Sequence, residues 1–332
     1  MAETLLECKN LEKNYPIITG LLSRQIGRRE VVAGISFKID ESASVGLVGE
    51  SGCGKTVLLR LLMNIDVPSG GQVLYQGRDV ASFSKQEMLH FHRETQMIFQ
   101  DPVGSLHPRM TIGLTLTEPL AMHHIGTKQE RITQAETVLE QVGLDRDFRY
   151  RYPHQFSGGQ RQRIGIARAL MMKPRLILAD EPVSALDASL QAQVLNLFLD
   201  VQKEMKLAYL FVAHDLAVLR HICKDIMIMY AGRIVERGKN QDIFYNAQHP
   251  YTKALLLAAP SIKKSISNED QEWTIVGGDL PDPARLPKGC HFHPRCKYVQ
   301  GICRLDDPPT VDLGDGHLVE CHLVGGRGFL AE

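Results

Sequence analysis

The eight residues Gly49-Glu50-Ser51-Gly52-Cys53-Gly54-Lys55-Thr56, placed directly after the apolar run Ser44-Val45-Gly46-Leu47-Val48, constrain this chain more than any other stretch. Glycines at 49, 52 and 54 let the backbone curl until several N–H groups converge on one point. A helix beginning near Lys55 adds the positive end of its dipole there. A strand, loop and helix arranged this way bind phosphate. Lys55 reaches the β- and γ-phosphates of a nucleoside triphosphate, and the Thr56 hydroxyl holds Mg²⁺. An α/β chain that binds a nucleoside triphosphate is the first expectation. Cys53 fits the loop as a small residue, and a thiol reagent attached there is expected to block nucleotide by its bulk.

At 332 residues the chain has room for two domains, or for one large domain with an extension. Its 44% apolar content supports a sizeable core. Lys+Arg and Asp+Glu stand at 38 each, so no basic excess draws nucleic acid. No apolar run approaches 18 residues, and Leu255-Leu256-Leu257-Ala258-Ala259 is among the longest. Met1-Ala2-Glu3-Thr4 lacks the basic head and apolar stretch of a secretory signal. The expectation is a cytoplasmic protein whose membrane association comes through a partner.

Residues 4–10 and 31–39 alternate as strands, with a looser, solvated link at 16–30 that carries Arg24, Arg28 and Arg29. Residues 44–48 form the strand entering the loop, Thr56–Met63 a buried helix, and Gln72–Tyr75 and Gln96–Phe99 further strands. From about 105 to 172 helices take over: Ile112–Met122, Gln129–Val142 and Gln160–Met172. Arg175-Leu176-Ile177-Leu178-Ala179-Asp180 is near-continuously apolar, as a parallel strand buried on both faces is. Helices at 190–205 and 216–223 flank a strand at 207–213, and Ile226–Tyr230 and Arg233–Arg237 form a hairpin around Ala231-Gly232. A last helix covers 249–259. Beyond Pro260 the texture turns polar and proline-rich, which marks a boundary near 260 and a small appended module.

Two further features carry chemistry. Asp180-Glu181 ends an apolar strand, where open α/β sheets place their ligands. Asp180 suits Mg²⁺, directly or through water, and Glu181 suits a general base that polarises the attacking water. Ser157-Gly158-Gly159-Gln160 opens a helix with exposed N–H groups and a hydroxyl, a second anion site. Two phosphate-binding features in one chain suggest one γ-phosphate served from opposite subunits.

Taken together these residues resemble the ATP-binding subunits of ABC transporters over residues 4–240. The likeness lies in Walker A at 49–56, the Gln100 loop, the signature Phe156-Ser157-Gly158-Gly159-Gln160, Walker B at 176–180 with Glu181, the Ser184-Ala185-Leu186-Asp187 loop and His214. Phe156 stands where the broad family favours Leu. The resemblance implies the P-loop ABC ATPase fold, with residues 1–259 as the ATPase domain and a helical subdomain at about 101–172. It implies ATP as ligand and Thr56, Gln100 and Asp180 as the Mg²⁺ set. Glu181, His214 and Lys55 become the catalytic group, and Asp187 the key residue of its loop. Ser157, Gly158, Gly159 and Gln160 then cap ATP held by the opposite subunit. Tyr15 is either the aromatic that stacks on adenine or a core tyrosine.

Within the family the chain resembles the importers of dipeptides and oligopeptides, nearest their F-type ATPase subunits. Phe99-Gln100-Asp101-Pro102 with Ser105-Leu106-His107-Pro108, Arg151-Tyr152-Pro153-His154 and His249-Pro250-Tyr251-Thr252 carry that likeness. It implies pairing with a second, D-type ATPase, two permease subunits, indirect contact with a peptide-binding protein, and a place on the cytoplasmic face of the inner membrane. Residues 260–332 become a C-terminal extension. Nickel importers and ABC ATPases not involved in transport are the alternatives. The latter usually carry a coiled-coil insertion or paired ATPase units, and neither is present here.

Four of the seven cysteines, Cys290, Cys296, Cys303 and Cys321, crowd into this extension. In a reducing compartment that clustering favours metal over disulfides. The spacing lacks the short knuckle of structural zinc, and thiolates bind both zinc and iron–sulfur clusters. His291, His293 and His322 keep zinc open, whereas the family resemblance implies a [4Fe-4S] cluster.

Overall fold

A computed structural model describes residues 3–19, 24–101, 104, 106–184, 186–258 and 278–324. In chain order its strands are β1 (Thr4–Thr19), β2 (Arg24–Asp40), β3 (Ser44–Val48), β4 (Gly70–Tyr75), β5 (Arg78–Asp79) and β6 (Thr95–Ile98). They continue with β7 (Leu176–Asp180), β8 (Ala208–Ala213), β9 (Asp225–Tyr230), β10 (Arg233–Lys239), β11 (Thr310–Asp312) and β12 (Leu318–Glu320). The helices are α1 (Lys55–Leu62), α2 (Lys85–Glu94), α3 (Ile112–Met122), α4 (Lys128–Gln141) and α5 (Gly158–Leu170), then α6 (Ala188–Met205), α7 (Leu216–Ile222), α8 (Asn240–Tyr245) and α9 (Pro250–Ala258). The chain divides into two compact units. One comprises Met1–Leu5, Ile39–Ala43 and Arg78–Val212; the other comprises Leu6–Lys38, Ser44–Gly77 and Ala213–Glu332.

The second unit holds the phosphate loop. β3 is buried along its whole length and runs parallel to β9, with Val45 opposite Asp225 and Val48 opposite Ile228. Gly46 lets α7 approach this strand, because a Cβ there would stand 2.9 Å from a Leu219 methyl. β9 turns antiparallel into β10 through Ala231 and Gly232, at φ 42° and 85°. Two left-handed residues are what a tight primed hairpin turn demands. β10 then pairs with β12, Glu236 opposite Val319 and Arg237 opposite Leu318, and β12 with β11. The cysteine-rich end of the chain is thus built into the sheet that carries the loop. β1 and β4 pair antiparallel in a separate sheet, Leu6 opposite Tyr75.

In the first unit β6, β7 and β8 run parallel, with Met97 opposite Leu178 and Leu178 opposite Leu210. All five residues of β7 are buried. Side-chain caps start the surrounding helices: Ser84 with Glu87 on α2, Thr111 on α3, Thr127 with Glu130 on α4, Ser157 with Gln160 on α5 and Asp187 on α6. Each satisfies backbone N–H groups that the helix itself cannot.

Most expected elements occur within a few residues of the bounds read from the sequence, and Ile112–Met122 matches at both ends. The first two strands are longer than expected, so all of the described part of the 16–30 link is strand, not a loose loop. α2, α8, β5, β11 and β12 were not anticipated. The boundary near 260 lies outside the described residues. Among those residues no helix is long and apolar enough to cross a membrane.

One buried carboxylate ties the last strands to the helix that follows them. Glu236, on β10, accepts hydrogen bonds from the backbone N–H of Gln248 at 2.7 Å and of His249 at 3.0 Å, and meets His317 Nε2 at 2.8 Å. His249 Nδ1 in turn accepts the Tyr251 N–H at 3.0 Å and so caps α9. Burial pushes the His249 imidazole down from 6.5 to about 4. Between those values the unfolded chain binds a proton that the native chain refuses, so stability falls as pH falls through the window, by up to about 3 kcal/mol. His249→Asn keeps an acceptor for Tyr251 and removes the titration. Its thermal midpoint should therefore drop less steeply between pH 6.5 and pH 4 than that of the unsubstituted protein. Parallel curves would refute the assignment.

Candidate nucleotide site

β3 delivers the chain to Gly49, and side chains are excluded there. A Cβ would lie 2.2 Å from the Met229 carbonyl oxygen and 2.8 Å from Cys53 Sγ. Gly52 and Gly54 follow at φ 85° and 112°, so the loop needs glycine for both room and backbone reach. No side chain caps α1, whose N-cap is Gly54. Gly54 brings no side-chain oxygen of its own to that helix terminus, which suits an anion. Lys55 is buried and its Nζ donates to the carbonyls of Gly49 at 2.6 Å and Glu50 at 3.1 Å. Ser51, Gly52 and Thr56 are exposed.

Cys53 fits the loop as a small residue, as expected. Its side chain is covered, and burial pushes its thiol up to about 11. Because the thiolate is the reactive form, a thiol reagent meets a protonated, sheltered sulfur instead of a ready target. Tyr15 is half-buried, so it is no core tyrosine; its hydroxyl donates to Asp66 at 3.3 Å and the Lys13 ammonium lies 5.0 Å from its ring centre. His214 is exposed, one residue beyond β8, and the next residue, Asp215, caps α7 through the Ala217 N–H.

The first unit holds the acidic residues. Asp180 ends β7 and is buried. Glu181 follows in the left-handed region at φ 44°, held there by its N–H donating to Val212 O at 3.0 Å. That conformation costs a non-glycine residue about 1 kcal/mol, retained because the neighbours define it. Gln100 Nε2 donates to Glu181 Oε2 at 3.0 Å, which joins two residues 81 positions apart. Ser184 donates its hydroxyl to Glu181 O.

Around the signature, Ser157 Oγ accepts the Gln160 N–H at 3.4 Å while Gln160 Oε1 accepts the Ser157 N–H at 3.0 Å. A Cβ on Gly159 would meet Leu190 of α6 at 3.0 Å, whereas Gly158 has open space. Phe156 is buried edge-on against Phe148, ring centres 5.2 Å apart, so the larger residue at this position is accommodated by packing. Asp187 Oδ1 accepts the N–H groups of Ser189 and Leu190. Pro102, Ser105 and Ala185 lie outside the described residues.

The metal centre expected at Cys290, Cys296, Cys303 and Cys321 is not shown by the structure. Among the described residues no group of three or more His, Cys, Asp or Glu is drawn together to hold a metal ion. Burial pushes the thiols of Cys290, Cys296 and Cys321 up to about 11, and neighbouring cysteines push the same way. Cys321 packs with Val319 and Leu323. The histidines that kept zinc open each spend a ring nitrogen on a backbone carbonyl: His291 on Ala231, His293 on Cys290 and His322 on Asp306.

Sequence reasoning missed Arg295, which pairs with Glu50 of the phosphate loop at 3.0 Å, and the buried Glu236. An acid inside the run Ile234-Val235-Glu236 was the available signal for the second.

Comparison with known proteins gives two family matches: the ABC transporter model over residues 32–184, and the oligopeptide/dipeptide transporter C-terminal region over residues 235–303. The oligopeptide transport ATP-binding protein AppF of Bacillus subtilis is 45% identical over 97% of this chain and 98% of its own length. The dipeptide transport ATP-binding protein DppF of Escherichia coli is 44% identical over 98% of this chain and 96% of its own. A solved dimeric ATP-binding cassette in a post-hydrolysis state, bound to ADP and Pi, superposes with a TM-score of 0.63 at 27% identity. It covers 71% of this chain and 99% of that one.

The crowding at Gly49 yields a direct test. Gly49→Ala must push the Met229 backbone aside and should lower stability by about 1–3 kcal/mol, read as a lower urea midpoint with unchanged m-value. An unchanged midpoint would mean that the loop and β9 are not packed this closely.

Proposed function

The chain belongs to the ATP-binding subunits of ABC transporters, in the oligopeptide/dipeptide branch, and on that basis we propose that it hydrolyses ATP to drive peptide import. The observation that carries this reading is likeness over nearly the whole chain, C-terminal region included, joined to a loop that admits only glycine at Gly49.

The phosphate loop, from Gly49 to Thr56, cradles the phosphates through its N–H groups. Lys55 exchanges its carbonyl partners for β- and γ-phosphate oxygens. Thr56, Gln100 and Asp180 offer hard oxygen donors, a set that suits Mg²⁺. When bound, that ion neutralises charge on the β- and γ-phosphates. With Gln100 Nε2 committed to Glu181, its amide oxygen is the atom it offers a cation. Glu181 takes the proton of the attacking water, and the Gln100 hydrogen bond steers its carboxylate. His214 contacts the γ-phosphate. Tyr15, exposed enough to be reached, stacks on adenine.

Ser157, Gly158, Gly159 and Gln160 cap the nucleotide of the opposite subunit, and Asp187 supports that junction. ATP closes the pair only as far as it prefers the closed state. A swing from 1:99 to 99:1 takes about 5.5 kcal/mol of such preference. We read residues 1–259 as the ATPase domain, with its helical subdomain at 101–172, and 260–332 as the extension. The partners are a homologous D-type ATPase and two permeases, at the cytoplasmic face of the inner membrane, served by a peptide-binding protein.

For the four cysteines we favour a [4Fe-4S] cluster over a single ion. In support, Cys290, Cys296, Cys303 and Cys321 lie within one another's electrostatic reach, and the Cys290 N–H donates to Cys303 O at 2.9 Å. These four thiolates would hold such a cluster, whose iron and sulfide would supply redox chemistry. Protein purified without oxygen should be brown and contain iron and acid-labile sulfide in equal amounts. Colourless protein with one zinc per chain, or with no metal, would overturn this.

Glu181→Gln should bind ATP yet turn over at least about 100-fold more slowly in a phosphate-release assay. Lys55→Ala should lose most nucleotide affinity. Undiminished turnover in Glu181→Gln would remove that residue from its role.

A further inference from the structure

Glu50, the second residue of the phosphate loop, is fastened at each of its three polar groups. Its backbone N–H donates to the Tyr251 hydroxyl, on α9, at 3.1 Å. Its carbonyl accepts from Lys55 Nζ at 3.1 Å. Its carboxylate receives Arg295 Nη1 at 3.0 Å on both oxygens.

Arg295 and Tyr251 both come from the C-terminal end of the chain, and they share one aromatic nest. Tyr230, at the end of β9, meets Tyr251 with ring centres 4.7 Å apart and Phe292 at 5.1 Å, while Tyr251 and Phe292 lie 5.5 Å apart. The Arg295 guanidinium sits 5.7 Å from the Tyr230 ring centre, and its side chain is only 10% exposed. The pair is therefore sheltered, where an ion pair holds geometry better than on an open surface. The neighbouring carbonyl of Ala231 receives His291, so the same tail segment also pins the turn after β9.

We propose that Arg295 is a positioning residue for the phosphate loop. The C-terminal segment, through Arg295 and Tyr251, holds Glu50 in the conformation that accepts nucleotide and thereby sets nucleotide affinity. This rests on the reading of residues 49–56 as the nucleotide site. Without Arg295, the Glu50 carboxylate loses its partner beside the loop, and its negative charge opposes the incoming phosphates.

The test is the dissociation constant of ADP, measured on the full chain by fluorescence of a labelled analogue. Arg295→Ala should weaken ADP about tenfold, and Arg295→Lys should recover part of the loss. Glu50→Gln removes the charge without changing the shape. Adding Arg295→Ala to it should cost less than Arg295→Ala costs alone, because both act through one contact. Steady-state ATPase of Arg295→Ala should show a raised KM with kcat retained. ADP binding by Arg295→Ala within about twofold of the unsubstituted protein would overturn the proposal, as would losses that simply add in the double variant. If Arg295→Ala fails to fold, the proposal stands or falls on Arg295→Lys, which should bind ADP measurably more weakly. Lys55→Ala serves as the separate control. Retained ADP binding there would refute the nucleotide site itself and not the role of Arg295.

Discussion

The approach of Gly49 to the Met229 carbonyl is the contact on which the phosphate loop depends. It follows from the parallel pairing of β3 and β9, whose last matched residues, Val48 and Ile228, deliver the two chains side by side one step before the loop begins. With no side chain between them, the backbones close up and the loop is forced to curl outward. The same crowding at Gly46 seats α7 against β3. A strand buried on both faces, two glycine-only approaches and a lysine turned back onto the loop's own carbonyls together make a rigid frame. A phosphate binder needs such preorganisation, since N–H groups already aimed at an anion cost nothing to reorient.

The glutamate that follows the apolar β7 illustrates the other way of holding chemistry in place. Glu181 sits in a backbone region that its side chain disfavours, fixed by its N–H bond to Val212 and its carboxylate bond to Gln100. Strain at a residue offering a carboxylate is tolerated only where neighbouring structure over-determines it, which β7 and β8 do here.

Residues 49–56 were legible because glycine placement and an adjoining apolar run speak with one voice, and β7 because five consecutive buried residues leave few alternatives. Helix α3 was read to its ends for a similar reason: Thr111 caps one, and His123 closes the other. α2 escaped notice because Phe91 is its only buried residue, although Ser84 and Glu87 spelled out its cap. The strands β11 and β12 are three residues each, so pairing decides them, β12 on β10 and β11 on β12, not their composition. The ties of Glu50 to Arg295 and of Glu236 to His317 span 245 and 81 positions, and no local pattern announces a contact of that range. The four cysteines were conspicuous as a set, yet among the described residues no group of three or more His, Cys, Asp or Glu is drawn together as an ion-holding cluster.

The pairing of β12 with β10 has a consequence for how this molecule tolerates loss of its tail. Stripped of β12, β10 would present a row of unsatisfied N–H and C=O groups to its surroundings, flanked by the apolar Ile234 and Val235. A naked strand margin of that kind recruits strands from other chains. The β11–β12 hairpin therefore acts as a selvedge that finishes the woven sheet, and a prematurely truncated polypeptide would be prone to stick to its own copies.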